Sequence, residues 1–485
     1  MRAWLPSFDD GFGWLALFAA QSTMFASNSL VVFEDRIDLA LLQTYGCVSI
    51  IRAIARYRVC CARSDNPPLA AVWRRWMMAA GAFLLLTRVS GSTTICREEQ
   101  GSSCVPNFYT GLGASASDAT LIQLVAAAII VPWLLRRVFI GTQSFHGVAR
   151  LWTDWGLRIA LLLSASYWII EESDDGMLGM LKRALAQFAF GLSLLVGLIG
   201  WRSNPLCLAV GQVETSPATS PSIRAILGID NAYGAPYLVW VTMIYAALAQ
   251  TQQPSGGLSF AMAMCHLVAA IELFDAQAEV QRRTQQSRRT TSSIFGQAVV
   301  LGLMAQHYYF ATGHQATLAS IQWRVGFIGL REMSWVVSPL LMVANTFASH
   351  ILFSAAIPLV VLWRLSGRRP APATTSQQQQ PASIWTGVRR IVFAWSLVWT
   401  VLAASICIWC MYFRRHLMVW KVWAPRFMLG TVSALLSQLI LLLATLLFGV
   451  ARTVGAVNSA LGRPLDDEED DSKPLLRDHS SLARI

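Results

Sequence analysis

The chain has 485 residues, of which 55% are hydrophobic and 13% charged, roughly half the charge with which a soluble chain covers its exterior. That excludes an ordinary water-soluble enzyme, because most of the exterior must face lipid. The formal net charge of +11 does not point to nucleic acid either: the 38 Lys and Arg sit in short clusters between apolar runs and form no continuous basic face.

A helix needs roughly 20 mostly apolar residues to cross ~30 Å of hydrocarbon, and only helices or closed barrels satisfy their backbone hydrogen bonds there. The apolar runs are continuous and do not alternate, so the expected fold is an all-α, polytopic membrane helix bundle. Candidate spans cover 11–33, 38–56, 72–90, 119–137, 152–170, 180–200, 235–250, 258–276, 294–311, 347–365, 388–411 and 427–451. A shorter apolar stretch near 325–345 reads as a further span or a re-entrant piece, giving about 12 or 13 crossings. The first run has one Arg before a short apolar core, like a signal peptide, but Asp9 and Asp10 and apolar character continuing to Phe33 favour a true span.

Loop charges set the orientation, since short cytoplasmic loops collect Lys and Arg. Arg52, Arg56, Arg58, Arg63, Arg74 and Arg75 follow the second span, Arg136, Arg137 and Arg150 the fourth, and Arg282, Arg283, Arg288 and Arg289 the eighth. The alternate loops carry Glu98 and Glu99, then Glu171, Glu172, Asp174 and Asp175, then the uncharged Thr251–Gly257. Residues 1–455 are therefore expected to form a multi-pass domain, with a lumenal cysteine loop at about 91–118. The Pro- and Gln-rich linker at about 366–386 and the acidic tail 456–485 are expected to be cytoplasmic and disordered. No glycosylation sequon and no internal repeat is visible.

Nine cysteines say little by number. Cys96 and Cys104 share the loop placed outside the cytosol, where a disulfide or two free thiols are both open. Cys407 and Cys410 form C-x-x-C inside an apolar span and read as packing residues, and Cys60 and Cys61 follow a cytoplasmic helix end where palmitoylation is open. No His-Glu-x-x-His, P-loop, Gly-x-Ser-x-Gly or metal-ligating cluster is present, so no catalytic residue and no metal ligand is assigned.

Two polar segments stand out. Residues 306–323 crowd His307, Tyr308, Tyr309, Thr312, His314, Gln315, Gln322 and Trp323 at a boundary counted as lumenal. Polar groups at that depth are costly unless they meet water, one another or a head group, so the segment is either a capped aromatic belt or a surface that hydrogen-bonds a sugar or phosphate. In residues 414–427, Arg414, Arg415, Lys421 and Arg426 interleave with Trp420, Trp423 and Phe427. Cations on the lumenal side run against the usual bias, which leaves snorkelling side chains or a phosphate-binding role for the guanidinium forks.

FATGHQATLASIQW followed by RRHLMVWKVWAPRFMLG resembles the C-terminal membrane domain of the glycosylphosphatidylinositol (GPI) ethanolamine phosphate transferases, type 3 most closely and type 2 next; ICREEQGSSC is similar to the lumenal cysteine loop of that group. The resemblance implies a multi-pass protein of the endoplasmic reticulum membrane that helps move phosphoethanolamine from phosphatidylethanolamine to a mannose of the GPI precursor. It further implies a small stabilising membrane subunit of the PIG-F kind. The family's chemistry lies in an N-terminal lumenal domain of alkaline-phosphatase type with a threonine nucleophile and a zinc pair. This sequence enters a membrane span almost at once, so the expectation is that catalysis is supplied elsewhere, from upstream or by a separate catalytic domain, and that no cofactor binds here. Under the resemblance, Thr312, His314, Gln315, Gln322 and Trp323 contact glycan or head group, and Arg414, Arg415 and Lys421 offset phosphate charge. A lipid transporter or flippase, or a non-catalytic scaffold subunit, is the alternative. Charges mostly lie toward span ends, against a transporter, with Lys182, Arg183 and Glu272 as exceptions.

Overall fold

The computed structural model describes residues 11–17, 34–61, 67–93, 116–172, 178–213, 223–283, 294–314, 321–365, 384–412, 414–415 and 424–461. A short helix α1 (11–17) precedes α2 (Glu34–Cys61), α3 (Pro67–Ser92) and α4 (Ala116–Gly141). Then come α5 (Gly147–Leu151), a π turn (Trp152–Gly156), α6 (Leu157–Glu172), α7 (Gly179–Phe190), a second π turn (Gly191–Gly197) and α8 (Leu198–Ser203). After a hairpin of β1 (Ala209–Val213) and β2 (Ile223–Leu227) follow α9 (Gly234–Thr251), α10 (Pro254–Arg283), α11 (Ile294–Ala311), α12 (Val337–Thr346), α13 (Ala348–Ala356) and α14 (Leu359–Leu362). The described chain ends with α15 (Ile384–Tyr412), α16 (Ala424–Leu439), a long π segment (Ile440–Val450) and α17 (Ala451–Ala460).

The bundle is all-α apart from the antiparallel pair β1–β2, with Ala209 opposite Leu227; this hairpin lies between two predicted spans and leaves the fold class unchanged. Every predicted span from 38 onward falls on helix. Among the described residues six helices are long and apolar enough to cross a membrane alone, and seven if the pair Val337–Thr346 and Ala348–Leu362, bent by 72°, forms one broken span. The other helices at predicted spans are shorter, interrupted by a π turn, or polar: α3 carries Arg74, Arg75 and Arg88, and α11 carries Gln297, Gln306 and His307. The stretch near 325–345 resolves into a 3₁₀ turn, Trp323–Phe327, and α12. Helix α17 runs to Ala460, so the residues from 456, where the tail was predicted to start, are helical as far as that point. There Tyr233 Oη donates to Asn458 Oδ1 at 2.7 Å.

Burial, and not apolarity, marks which helices are central, since a helix facing lipid is as apolar as one inside the bundle. The apolar window of α10 is 83% buried and that of Gly179–Ser203 is 28% buried, so α10 is interior and the α7–α8 segment peripheral. Helix α9 is buried along nearly its whole length, and Tyr245 of α9 stacks on Phe260 of α10 with centroids 5.3 Å apart.

The two ends of the bundle differ in chemistry. At one, Arg75 Nε donates to Glu272 Oε2 at 2.7 Å and its Nη2 to Asp275 Oδ2 at 2.5 Å. Arg364 Nη2 reaches Glu272 Oε1 at 3.2 Å, which also accepts from Trp363 Nε1 at 3.0 Å. Arg364 holds a left-handed backbone, φ +49°, while its amide donates to Asn231 Oδ1 at 2.9 Å. Non-glycine residues adopt that region only where surroundings impose it; here the ion pairs and the amide bond impose it. Glu272, an exception in the sequence, thus has two cationic partners, and Lys182 pairs with Glu171.

Candidate functional site

The opposite end holds the polar residues singled out in the sequence. Helix α9 ends at Thr251 and α11 ends beside Thr312, where Gly313 takes φ +89° and turns the chain. A Cβ on Gly256 would lie 3.1 Å from the Thr312 carbonyl oxygen, so glycine there lets α10 close on that turn. Asn345 stands at the bend between α12 and α13.

These segments are joined by one buried network. Asn345 Nδ2 donates to the Thr251 carbonyl at 2.8 Å, which leaves Asn345 Oδ1 as the acceptor facing His314 Nε2 at 3.0 Å. His314 is therefore the Nε2–H tautomer. Its Nδ1 is then an acceptor 3.1 Å from the Thr312 hydroxyl, whose one proton also points to the Tyr308 carbonyl at 2.9 Å. Gln252 Nε2 extends the network to Thr251 Oγ1 at 3.3 Å and the Asn345 carbonyl at 3.4 Å. Burial pulls His314 down to about 4 despite its bond to Asn345, so the imidazole is neutral at neutral pH. Gln322 Nε2 donates to the Thr312 carbonyl at 3.4 Å, and Gln322 Oε1 is buried with no partner.

Next to this network the 3₁₀ turn forms an elbow against the α6–α7 hairpin. Arg324 lies 3.5 Å from Glu171, and Gln187 Nε2 donates to the Gly329 carbonyl at 2.9 Å. Val325, Ile328 and Leu341 pack with Tyr167, Trp168 and Ala186. On the outer face Trp323 is 64% exposed and Trp335 85% exposed, the placement of amphipathic rings at a membrane–water boundary. One turn deeper, His266 Nδ1 lies 3.1 Å from Tyr308 Oη and its Nε2 3.2 Å from Thr87 Oγ1, and His307 Nε2 lies 2.8 Å from Ser90 Oγ. These imidazoles are paired with hydroxyls, and among the described residues no three His, Cys, Asp or Glu side chains converge as metal ligands. Zinc of the kind the family resemblance implies has no ligand set among the described residues.

The predicted site residues therefore separate. Thr312, His314 and Gln322 come together, with Thr312 and His314 buried and engaged by the protein itself, while Trp323 faces outward from the same elbow. Arg414 and Arg415 are exposed just past α15. Helix α15 starts at the Arg75 end, where a Cβ on Gly387 would lie 2.8 Å from Val361 Cγ1, and its length of about 43 Å at 1.5 Å per residue carries Tyr412 to the Thr312 end. Arg414 and Arg415 thus share one end of the bundle with Thr312, His314, Gln322 and Trp323. Gln315, Lys421, Cys96 and Cys104 lie outside the described residues, as do the linker and most of the tail. Asn345, Thr251 and Gln252 were not singled out from sequence; the signal was a lone amide in the apolar run VSPLLMVANTFASHILF.

Residues 260–453 match the model of the GPI ethanolamine phosphate transferase membrane region. The chain is 27% identical over 472 residues to GPI ethanolamine phosphate transferase 3 of Saccharomyces cerevisiae, covering 90% of this chain and 44% of that protein. Against the Eremothecium gossypii protein of the same name it is 28% identical, over 91% of this chain and 44% of the relative. It is 25% identical to the human GPI ethanolamine phosphate transferase 3, catalytic subunit, over 92% of this chain and 49% of the relative. The chain thus spans about half the length of the curated relatives it matches. No solved structure matches.

Proposed function

We propose that this chain, whose residues 260–453 carry the membrane region of the GPI ethanolamine phosphate transferases, positions phosphatidylethanolamine and the mannose-bearing GPI precursor for phosphoethanolamine transfer in the endoplasmic reticulum membrane. The observation that carries the reading is similarity to type 3 transferases along nine-tenths of the chain. The geometry supports a division of labour. The Thr312–His314–Asn345 network fixes the turn that ends α11, and the groups left facing outward, Trp323, Arg414 and Arg415, meet glycan and phosphate. Guanidinium forks match phosphate oxygens in pairs, an indole face suits a sugar ring, and holding two lipid substrates in register turns a bimolecular encounter into a positioned one. Bond-making belongs to a catalytic domain outside these residues, and a small membrane subunit of the PIG-F kind is the partner in the bilayer.

The test is a chimera in which this chain replaces the matching membrane region of the yeast relative, expressed in cells lacking that enzyme. Restored surface GPI-anchored protein and ethanolamine phosphate on the GPI glycan are expected. A chimera that reaches the endoplasmic reticulum intact and restores neither overturns the reading. The 72° bend between α12 and α13 favours a second reading as a lipid transporter, because broken helices line many transport sites. Labelled phospholipid crossing in proteoliposomes of the chain would support that reading instead.

A further inference from the structure

Helix α12 has one packed face and one bare one. Ser338 and Leu341 are buried, a Cβ on Gly326 would lie 3.5 Å from Ser338 Cβ and 3.6 Å from Met342 Cγ, and Leu341 joins the cluster of Tyr167, Trp168 and Ala186. On the other side Val336, Leu340 and Val343 stand at i, i+4 and i+7 as a single ridge, 69%, 62% and 37% exposed among the described residues. An exposed ridge without a polar group needs a cover other than water.

The direction of the helix follows from its neighbours. Asn345 bonds to Thr251, the last residue of α9, and a Cβ on Gly234, the first residue of α9, would lie 2.8 Å from Trp363 Cα. Between them Tyr237 Oη donates to the Ala355 carbonyl at 2.6 Å. The chain from Asn345 to Trp363 thus runs along α9 from end to end, and nothing of the crossing is left to α12. Helix α12 meets that chain at 72°, so its ten residues, about 15 Å of helix, change depth by only about 5 Å. Exposure falls from Val336 through Val343 to the buried Asn345, the pattern of a spoke running inward from the rim.

The elbow before α12 sets the depth. Arg324 lies 3.5 Å from Glu171, which also pairs with Lys182, at the charged ends of α6 and α7. Gly329 sits about one turn further in: its carbonyl accepts from Gln187 at 2.9 Å, and a Cβ on it would lie 3.5 Å from Ala186 Cβ. Irregular backbone is tolerated at such a depth only where the protein satisfies it, as the Gln187 amide does here. Arg331 and Glu332 are both exposed, which keeps the bend that follows in the headgroup layer.

We infer that α12 is an interfacial helix, lying in the plane of the membrane at the Thr312 end with Val336, Leu340 and Val343 among the upper acyl segments of that leaflet. Lipid is the occupant of the ridge because the ridge is wholly apolar, lies at the level of the span ends and continues into Trp335, an amphipathic ring suited to the boundary. A docked protein would call for a polar rim around its contact. The in-plane helix holds the elbow, and Trp323 with it, at a fixed depth.

The test is a nitroxide side chain placed at 336, 340 or 343, one position at a time, in the full chain in phosphatidylcholine nanodiscs. Attachment through a genetically encoded azidophenylalanine leaves the native cysteines alone, and the three positions are exposed, so the fold tolerates the label. Power saturation with oxygen and with a water-soluble nickel chelate reads the depth. Oxygen is expected to relax all three labels more than nickel does, at depths of about 5–10 Å that agree to within about 5 Å. Labels at Met428 and Leu435, seven residues apart and exposed on the spanning α16, should differ by about 10 Å. Dominant nickel relaxation along the ridge would place it in water, and access by neither reagent would place it under protein. A spread in depth across the ridge as large as that on α16 would make α12 part of a crossing. Each of these three results overturns the inference.

Discussion

His314 Nε2 lies 3.0 Å from Asn345 Oδ1, a bond that ties the loop after α11 to the bend between α12 and α13. Because both side chains are fully buried, truncating one leaves the other's polar atom without a partner or water. His314→Ala and Asn345→Ala are each expected to cost about 1–3 kcal/mol. The double variant should cost less than the sum, with a coupling of about 0.5–3 kcal/mol. Thermal unfolding of the purified chain in detergent measures all three; strict additivity would remove the network from the account of this end.

Acid should loosen the same contact. Burial holds His314 at about 4 in the folded chain, against 6.5 for a free imidazole, so the folded state binds fewer protons than the unfolded one in between. Its contribution is full above pH 6.5, declines as the pH falls, and is gone below about 4. A wild-type melting temperature that drops between pH 7 and 4.5 more steeply than that of His314→Gln is the expected result, since glutamine can still donate to Asn345 and does not titrate. Parallel slopes would assign the acid sensitivity to other groups.

At the opposite end the charges are worth more as a set than as pairs. Asp275 is 3% exposed beside Arg75 and Arg364, so Arg75→Leu takes away its shorter ion pair, leaves the longer one to Arg364 at 3.6 Å, and should cost about 3 kcal/mol. Lys182→Ala breaks a pair at the solvent-facing rim, where Lys182 is 33% exposed, and should cost less than about 1 kcal/mol. Comparable losses in the two melting curves would contradict the difference in burial.

Glycine at 234 is required by the same end. A Cβ there would fall 2.3 Å from Asn231 Oδ1 and 2.8 Å from Trp363 Cα, displacing the amide that fixes Arg364. Gly234→Ala should therefore cost about 1–3 kcal/mol, as overpacking does. Gly81→Ala, where nothing lies within 4 Å of the new methyl, should be neutral or stabilising in the same assay.

Composition and apolar run length were enough to place helices such as Pro254–Arg283 and Ile384–Tyr412, because a span must bury its backbone whatever its neighbours are. They could not give the 72° bend after Asn345, which depends on side chains from α9 and the loop after α11 meeting there. Glu272 and Lys182 read as misplaced charges for the same reason: their partners Arg75, Arg364 and Glu171 arrive from other helices. The clustering of Thr312, His314 and Gln322 was legible because the segment is polar and contiguous. That Thr312 and His314 point inward and Trp323 outward was not, since a loop of that length has no period to read.

The division between inward and outward groups gives the last expectation. In cells that depend on the chimera, Trp323→Ala and the pair Arg414→Ala with Arg415→Ala remove groups that are exposed and support no described contact of the fold, so protein level and melting temperature should hold. Loss of one phosphate or sugar contact corresponds to about a three- to tenfold drop in transfer, read as accumulated GPI precursor lacking ethanolamine phosphate on mannose. His314→Ala should lower transfer together with stability, because it acts through the loop it holds. Unchanged precursor in both exposed variants would take Trp323 and the two arginines out of the substrate site and leave the buried network as a purely structural joint.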